Sequence, residues 1–236
     1  MYRNKEYDRS ERYLKQALAV FRKVKGDEDF ETATALNNLQ YLYTATEQYG
    51  KAEAAAREAL DIARGLFAED HSTVLLLSKN VATVLSAKGD LDGALAIREE
   101  VLEKTRQSVP EGDPRIVKAL LPYAQDLLAS GNATSAEKLL RESVEIREES
   151  LPDNDWRKDS ARSLLGECLV RLNRFAEAEA LLVPSLEGLR STLGDTDPKT
   201  SEATLRLVAL YEAWEKPDLA TKYREVDTKE DPSEGN

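Results

Sequence analysis

The segment Gly89-Asp-Leu-Asp-Gly-Ala94 returns 42 residues later as Gly131-Asn-Ala-Thr-Ser-Ala136, with glycine and alanine in the same places. Aligning the whole sequence with itself extends this register, because five alanines lie on it: Ala52, Ala94, Ala136, Ala178 and Ala220. A period of this length indicates a repeated structural unit whose stacked copies bury one core. We interpret the alanines as points where two helices approach too closely for a larger side chain.

A second motif divides each repeat and combines an apolar residue, a helix breaker and acidic residues. It occurs in Val109-Pro-Glu-Gly-Asp-Pro114 and in Leu193-Gly-Asp-Thr-Asp-Pro198. In both copies the last aspartate is placed to cap a helix, and the proline is placed in its first turn. Between these motifs apolar residues recur at helical spacing. Each repeat is therefore predicted to hold two antiparallel helices, A and B.

The register also predicts where the helices and repeats lie. A helices are predicted near 31–46, 73–88, 115–130, 157–172 and 199–214. B helices are predicted near 49–67, 91–108, 133–150, 175–192 and 217–226. The predicted domain covers 1–226, with a half repeat at 5–26 and repeats at about 31–68, 73–110, 115–152, 157–194 and 199–226. We expect residues 227–236 to form a disordered acidic tail.

Composition limits the classes of partner. The chain has 33 Lys and Arg against 44 Asp and Glu, a net charge of −11. This excess repels phosphate backbones and anionic lipids, so we expect no nucleic-acid partner and no membrane partner. We expect a protein or peptide partner that is neutral to basic. Because no signal sequence and no run of about 18 apolar residues is seen, we predict a cytoplasmic protein.

Few residues suggest catalysis or metal binding. His71 is the single histidine, and without suitable partners for a metal or base role we expect it to cap a helix or contact solvent. Cys168 lies on the core register beside Leu165 and Leu169, so we expect a buried thiol. We predict that the chain is not an enzyme and has no catalytic residue, no metal site and no cofactor.

Thr34-Ala-Leu-Asn-Asn-Leu39 with Tyr43, the register alanines and the acid-rich loops resemble the tetratricopeptide repeat (TPR) family in its 42-residue, kinesin-light-chain-like form. The resemblance covers almost the whole chain. It implies an all-α fold, a right-handed α-solenoid of about five repeats plus an N-terminal half repeat, with a concave groove lined by A helices. The last repeat, around Leu205–Trp214, resembles the TPR tails of bacterial serine/threonine kinases.

The resemblance also implies which residues line the groove. We select as candidate ligand-binding residues Asn37, Asn38, Tyr41, Lys79, Asn80, Lys118, Leu121 and Gln125. The asparagine amides offer donors and acceptors to an extended peptide backbone. Apolar contacts are expected from Leu76, Leu121 and Leu164. We expect replacement of Asn38 and Asn80 by alanine to weaken ligand binding while leaving stability nearly unchanged.

Two functions stay open. The first is a protein–protein interaction scaffold that binds a peptide or helical segment in the concave groove. The alternative is a regulatory or docking TPR segment of a larger bacterial signalling protein such as a serine/threonine kinase. The first helix has no A partner and places apolar residues at an end that solenoids normally cap with polar ones: Leu14, Ala17, Leu18 and Phe21. This end supports the alternative, and it also predicts self-association through the N-terminal half repeat.

Overall fold

The computed structural model describes residues 2–228, with side chains from residue 6 to residue 224. Over that range the regular elements are helical. A 3₁₀ turn at Pro114–Ile116 accompanies α-helices α1 (Tyr2–Lys25), α2 (Phe30–Ala45), α3 (Tyr49–Leu66), α4 (Ser72–Lys88), α5 (Leu91–Ser108), α6 (Val117–Ala129), α7 (Ala133–Ser150), α8 (Trp156–Arg171), α9 (Phe175–Leu193), α10 (Pro198–Ala213) and α11 (Pro217–Thr228).

The helices alternate as the register predicts. The A helices are α2, α4, α6, α8 and α10, and each is followed by a B helix that packs against it. The all-α class, a solenoid of helix pairs, is confirmed. The last helix continues to Thr228, so residues 227 and 228 of the predicted tail are helical. The remainder of that tail, 229–236, lies outside the described residues.

The turn inside each helix pair has one backbone conformation throughout the chain. Five residues before each register alanine, φ is positive: 58° at Glu47, 92° at Gly89, 84° at Gly131, 59° at Asn173 and 56° at Glu215. Glycine adopts this region freely, and asparagine tolerates it. The two glutamates adopt it at a cost of about 1–2 kcal/mol each. Helix packing offsets that cost, and no local sequence signal marks either turn.

The A helices begin at side-chain caps. Asp113 and Asp197 each accept a hydrogen bond from the backbone N–H two residues further on, at 2.8 Å, and the intervening proline lies in the first turn. This confirms the cap predicted from the Asp-Pro pairs. His71 caps α4 because its Nδ1 accepts from Thr73 N–H at 3.2 Å. The expected capping role of His71 is thus also confirmed.

Two compact units, Met1–Glu111 and Gly112–Asn236, each contain a hydrophobic core. In the first unit α3 presents an alanine-rich face to Leu36 and Leu39 of α2. The register alanines Ala52 and Ala94 are fully buried there. Complete burial at these positions favours the small side chain that the register repeats.

Helix α1 turns its main apolar face into the first core. Leu18 is buried, and Leu14 and Phe21 pack against the same cluster. These side chains are therefore not the open surface that the sequence analysis expected. Because helix faces alternate along 3.6-residue turns, other α1 residues point outward, and Val20 and Val24 are exposed. Self-association through this helix stays a prediction.

The core of the second unit is built mainly from leucines, with fully buried Leu140 on α7, Leu182 on α9 and Leu207 on α10. Helices α8 and α9 approach closely at Gly166, where an added Cβ would lie 2.5 Å from Leu182 Cγ. Two residues further along α8, the Cys168 side chain is fully buried and its thiol donates to the Ala133 carbonyl oxygen at 3.2 Å. The buried thiol is confirmed.

Candidate functional site

In the first unit, polar side chains of two consecutive A helices bind each other. Asn80 of α4 donates from Nδ2 to Asn37 Oδ1 of α2 at 2.7 Å. Its Oδ1 accepts from the Tyr41 hydroxyl, also on α2, at 3.2 Å. The Asn80 residue is only 8% exposed. Its amide therefore links α4 to α2 below the surface.

This link changes the role expected for Asn80. A ligand would have to displace Asn37 or Tyr41 to bind the amide atoms that these partners occupy. The structure argues against the expectation that replacing Asn38 and Asn80 together by alanine leaves stability nearly unchanged, because the change at Asn80 removes two hydrogen bonds at a buried residue. Asn80 acts here as a positioning residue. Its contact with a ligand stays a prediction.

The other candidate residues of the first unit are more accessible. Asn38 is exposed, while Asn37 and Lys79 are half-buried. Tyr41 is 51% exposed and Leu76, on the adjacent A helix, is 50% exposed. Large apolar side chains that stay this exposed on neighbouring helices offer hydrophobic contact to a partner.

The second unit contains an equivalent link three repeats further along. Arg206 of α10 lies at the register position of Asn80, since 206 − 80 is 126 residues, or three periods of 42. Its Nε donates to Glu167 Oε2 of α8 at 2.8 Å, and its Nη1 donates to Ser163 Oγ at 3.4 Å. Glu167 and Ser163 stand at the register positions of the two α2 partners of Asn80. The same three positions thus join consecutive A helices in both units.

A cleft of about 360 Å³ lies beside this second link. Its apolar wall consists of Val170 of α8 with Leu205 and Ala209 of α10, and Leu205 is 58% exposed. The charged side chains of Arg171 and Glu202 border the cleft. An apolar strip with charges of both signs at its edge suits an apolar side chain better than an isolated ion.

The three candidate residues of the third repeat lie on α6. Lys118 and Gln125 are exposed, and Leu121 is half-buried. Leu164 of α8, which the sequence analysis expected to contact a ligand, is only 6% exposed and is part of the core. Leu164 is buried because it occupies the register position of Asn80, two periods later, and this position faces the core.

Lys118 and Leu121 border a second pocket of about 360 Å³, which we name the Lys118 pocket. Val117 and Pro122 extend its apolar wall. Arg147 of α7 and Arg157 of α8 add positive charge, and none of the described residues that line it is acidic. Positive charge is therefore concentrated here in a chain whose net charge is −11.

The two arginines of the Lys118 pocket are bound to the chain differently. Arg157 forms a bidentate pair with Asp155, at 2.8 and 2.6 Å. Arg147 is half-buried, and its Nη1 donates to the backbone carbonyl oxygen of Arg157 at 2.6 Å. Burial and the nearby Arg157 cation lower the pKa of Arg147. The charge of Arg147 thus lies in an environment that an anion would stabilise.

Other chemistry has little support in residues 2–228. This part of the chain holds no group of three or more His, Cys, Asp or Glu side chains arranged for a metal ion. Burial raises the pKa of Cys168 to about 11, so this thiol is a poor nucleophile. None of the described helices combines the length and apolar composition needed to cross a membrane.

Comparison with known families identifies the helix pairs. Models of the tetratricopeptide repeat match residues 1–65 and residues 124–157, one segment in each unit. The chain carries tetratricopeptide repeats. The helix pairs outside the matched segments follow the same 42-residue TPR register. No curated protein matches the sequence.

Solved structures share this TPR fold over most of the chain. BtubC (BKLC) from P. vanneervenii is 18% identical, with a TM-score of 0.78, covering 98% of this chain and 94% of BtubC. A Podosopora anserina protein described as a kinesin light chain with nearly identical TPR-like repeats is 19% identical, with a TM-score of 0.71 and coverages of 85% and 97%. A Rap protein in complex with Competence and Sporulation Factor is 16% identical, with a TM-score of 0.61 and coverages of 96% and 70%. The resemblance to kinase tails stays a prediction.

Sequence reasoning on TPR groove positions misses part of this site. It does not identify the bond between Arg206 and Glu167, although adding three periods to Asn80 leads to Arg206. It does not find Arg147, because this residue lies near the end of a B helix, outside the A-helix groove pattern. Only the packing of α6, α7 and α8 brings Arg147 beside Lys118.

Proposed function

We propose that this chain is a protein-interaction scaffold that binds a peptide or helical segment along its A helices. One observation carries the proposal. In both units, side-chain links between consecutive A helices lie beside large apolar residues that remain exposed: Tyr41 and Leu76 in the first unit and Leu205 in the second. The surface is thus both apolar and held in place.

The links favour binding because they reduce the motion lost when a partner docks. The Tyr41 hydroxyl is held by Asn80, so the ring keeps an orientation while about half of the residue stays exposed. Immobilising a free side chain costs roughly 0.5–1.5 kcal/mol on association. A tyrosine whose polar end is already bonded avoids part of this cost, and its apolar body remains available.

The distribution of exposed apolar residues also favours the A helices. Outside α1, the large apolar residues that stay exposed in the described chain are Phe30, Tyr41, Leu66, Leu76 and Leu205. All except Leu66 lie on A helices. Because isolated apolar residues are ordinary on any surface, their concentration on one class of helix is the informative feature.

The comparisons support a binding role of this kind. A Rap protein of similar fold has been solved in complex with Competence and Sporulation Factor. The partner proposed here is a protein or peptide, since the acidic chain repels nucleic acid and anionic membranes. A scaffold needs no catalytic group, and we propose no enzymatic activity.

Selection of peptides tests this function. A phage-displayed library of random dodecapeptides is selected on the chain, and a synthetic copy of an enriched peptide is titrated by fluorescence anisotropy. Leu76→Asp should weaken binding about tenfold or more, because it places a charge in an apolar contact. Leu66→Asp is the matched control, since Leu66 is 45% exposed but lies on a B helix. Equal effects of both substitutions, or a library without enrichment, would refute binding along the A helices.

The alternative function, a segment of a bacterial signalling kinase, rests on the last repeat alone. In the structure, the Trp214 and Phe175 rings stack with centroids 5.9 Å apart, and Lys216 Nζ lies 3.2 Å from the Trp214 ring centroid. Tyr211 and Tyr223 stack at 5.7 Å. Packing within the final helix pairs explains these residues. We therefore favour the scaffold, and a kinase domain encoded upstream in the same reading frame would reverse that preference.

A further inference from the structure

The Lys118 pocket differs in charge from the rest of the candidate site. Arg157 is paired with Asp155, but no carboxylate of the described chain lies within 4.0 Å of Lys118 Nζ or of the Arg147 guanidinium. Two cations without acidic partners thus border one cavity. Arg147 has five N–H donors and uses one of them on the Arg157 carbonyl oxygen. Donors remain for a carboxylate.

The pocket also has an apolar part that a small inorganic anion would not use. Val117, Leu121, Pro122 and Leu151 line it. Its volume of about 360 Å³ is at the lower end of the range for ligand pockets. It is therefore suited to one or two side chains of a longer molecule.

Pro122 adds a feature that favours a peptide. Proline has no backbone N–H, so the carbonyl oxygen of Lys118 cannot accept the usual helical hydrogen bond from residue 122. A backbone acceptor that lacks its i+4 donor, on a residue bordering the pocket, suits an N–H group of an extended peptide. The combination offers an acceptor for backbone, donors for a carboxylate and an apolar wall.

We propose that the Lys118 pocket binds an acidic side chain of a partner peptide together with a bulky apolar side chain next to it. This inference rests on the proposed scaffold function and names the chemistry of one subsite. It differs from the neutral-to-basic partner expected from net charge. That expectation rests on the net charge of the whole chain. Because salt screens charges that are more than about 8–10 Å away, the nearby cations determine which side chain the pocket prefers.

An array of octapeptides, acetylated at the N-terminus and amidated at the C-terminus, provides the first test. Captured peptides should be enriched in Asp or Glu adjacent to Leu, Ile, Val or Phe. For one captured peptide, anisotropy should show that Lys118→Gln and Arg147→Gln each weaken binding about tenfold or more, the range for charge-assisted hydrogen bonds. Arg147→Lys, which keeps the charge, should restore part of the affinity.

The matched control is Lys138→Gln, an equal change of charge at an exposed lysine of α7 outside the pocket. It should bind as the unchanged chain does. Replacing the peptide glutamate by glutamine should cost about tenfold with the unchanged chain and little with Lys118→Gln or Arg147→Gln. Circular dichroism of each variant checks that it is folded, and exposed Lys118 provides a variant that does not disturb the Arg147 contact.

Four results would overturn the inference. One is an array without acidic preference; if Leu76→Asp still abolishes capture, the scaffold function stands and the pocket assignment fails. Another is an equal cost of the glutamate change in all variants. The third is binding that requires a free peptide C-terminus, which would assign the pocket to a chain end. If no peptide is captured at all, the inference and the scaffold function fail together.

Discussion

Replacing Asn80 by alanine should destabilise the first unit although the residue lies among the candidate binding positions. The substitution removes the hydrogen bonds to Asn37 and Tyr41, at 2.7 and 3.2 Å, from a residue that is 8% exposed. Each bond contributes about 0.5–1.5 kcal/mol net, so the expected loss is about 1–3 kcal/mol. For a chain of this length, a loss of about 2 kcal/mol lowers Tm by about 4–8 °C.

The assay is urea and thermal unfolding followed by circular dichroism at 222 nm. The matched control is Asn38→Ala, because Asn38 is exposed on the same helix as Asn37. It should change stability by less than about 0.5 kcal/mol. If Asn80→Ala and Asn38→Ala differ by less than that amount, the assignment of Asn80 as a structural link between A helices is refuted.

A second substitution separates the lost volume from the lost hydrogen bonds. Leucine stands at the equivalent register position two repeats later, as buried Leu164. Asn80→Leu should therefore be less destabilising than Asn80→Ala, because burial of the leucine side chain offsets part of the lost stability. Half-buried Asn37 and exposed Tyr41 can form hydrogen bonds with water in place of those to Asn80. Greater destabilisation by leucine would mean that this space does not accept an apolar side chain.

Three further predictions address other parts of the chain. Gly166→Ala should destabilise the chain by about 1–3 kcal/mol, because its Cβ would lie 2.5 Å from Leu182 Cγ. The control is Gly65→Ala, which should be slightly stabilising because Gly65 is helical and nothing lies within 4 Å of an added Cβ. Urea midpoints that fall equally in both variants would contradict the close approach of α8 and α9. Arg115 and Arg157 hold the pKa of Asp113 and Asp155 at about 2, below the unfolded value of about 3.9, so the stabilisation by these ionised caps is complete above about pH 4 and is lost as pH falls through about 2. The double variant Asp113→Asn/Asp155→Asn keeps capping oxygens and should unfold at lower urea than the unchanged chain at pH 7. The gap should be smaller at pH 2, where about half of each native carboxylate is protonated, and an equal gap at both pH values would exclude the charge effect. Buried Cys168, whose pKa is raised to about 11, should react with a thiol reagent at pH 8 at least tenfold more slowly in buffer than in 8 M urea, whereas equal rates would show that the α7–α8 packing opens readily.

Much of the fold is predictable from sequence because its determinants are local and repeated. Register alanines, Asp-Pro caps and apolar spacing each act within one helix pair, so the predicted A and B helix ends fall within two residues of the observed ones. The exceptions depend on packing. Glu47 and Glu215 adopt positive φ without a residue type that favours it, and α1 turns Leu14 and Phe21 inward against a helix that follows it.

The candidate site is less predictable because its contacts join residues far apart in the chain. The repeat pattern places Asn80, Leu164 and Arg206 at one register position, but it does not say that Asn80 binds Tyr41, that Leu164 is buried or that Arg206 pairs with Glu167. Each outcome depends on which side chains the neighbouring A helix supplies.

By itself, the sequence determined that this chain is an array of antiparallel helix pairs, because a 42-residue period needs only short-range helix, cap and turn preferences in each copy. Tertiary structure alone decided which polar groups are hydrogen-bonded inside the array and which remain accessible to a partner. It buried Asn80 in a link and left Lys118 and Arg147 together beside an apolar wall. That division depends on distances between helices, which a register of positions along one chain does not contain.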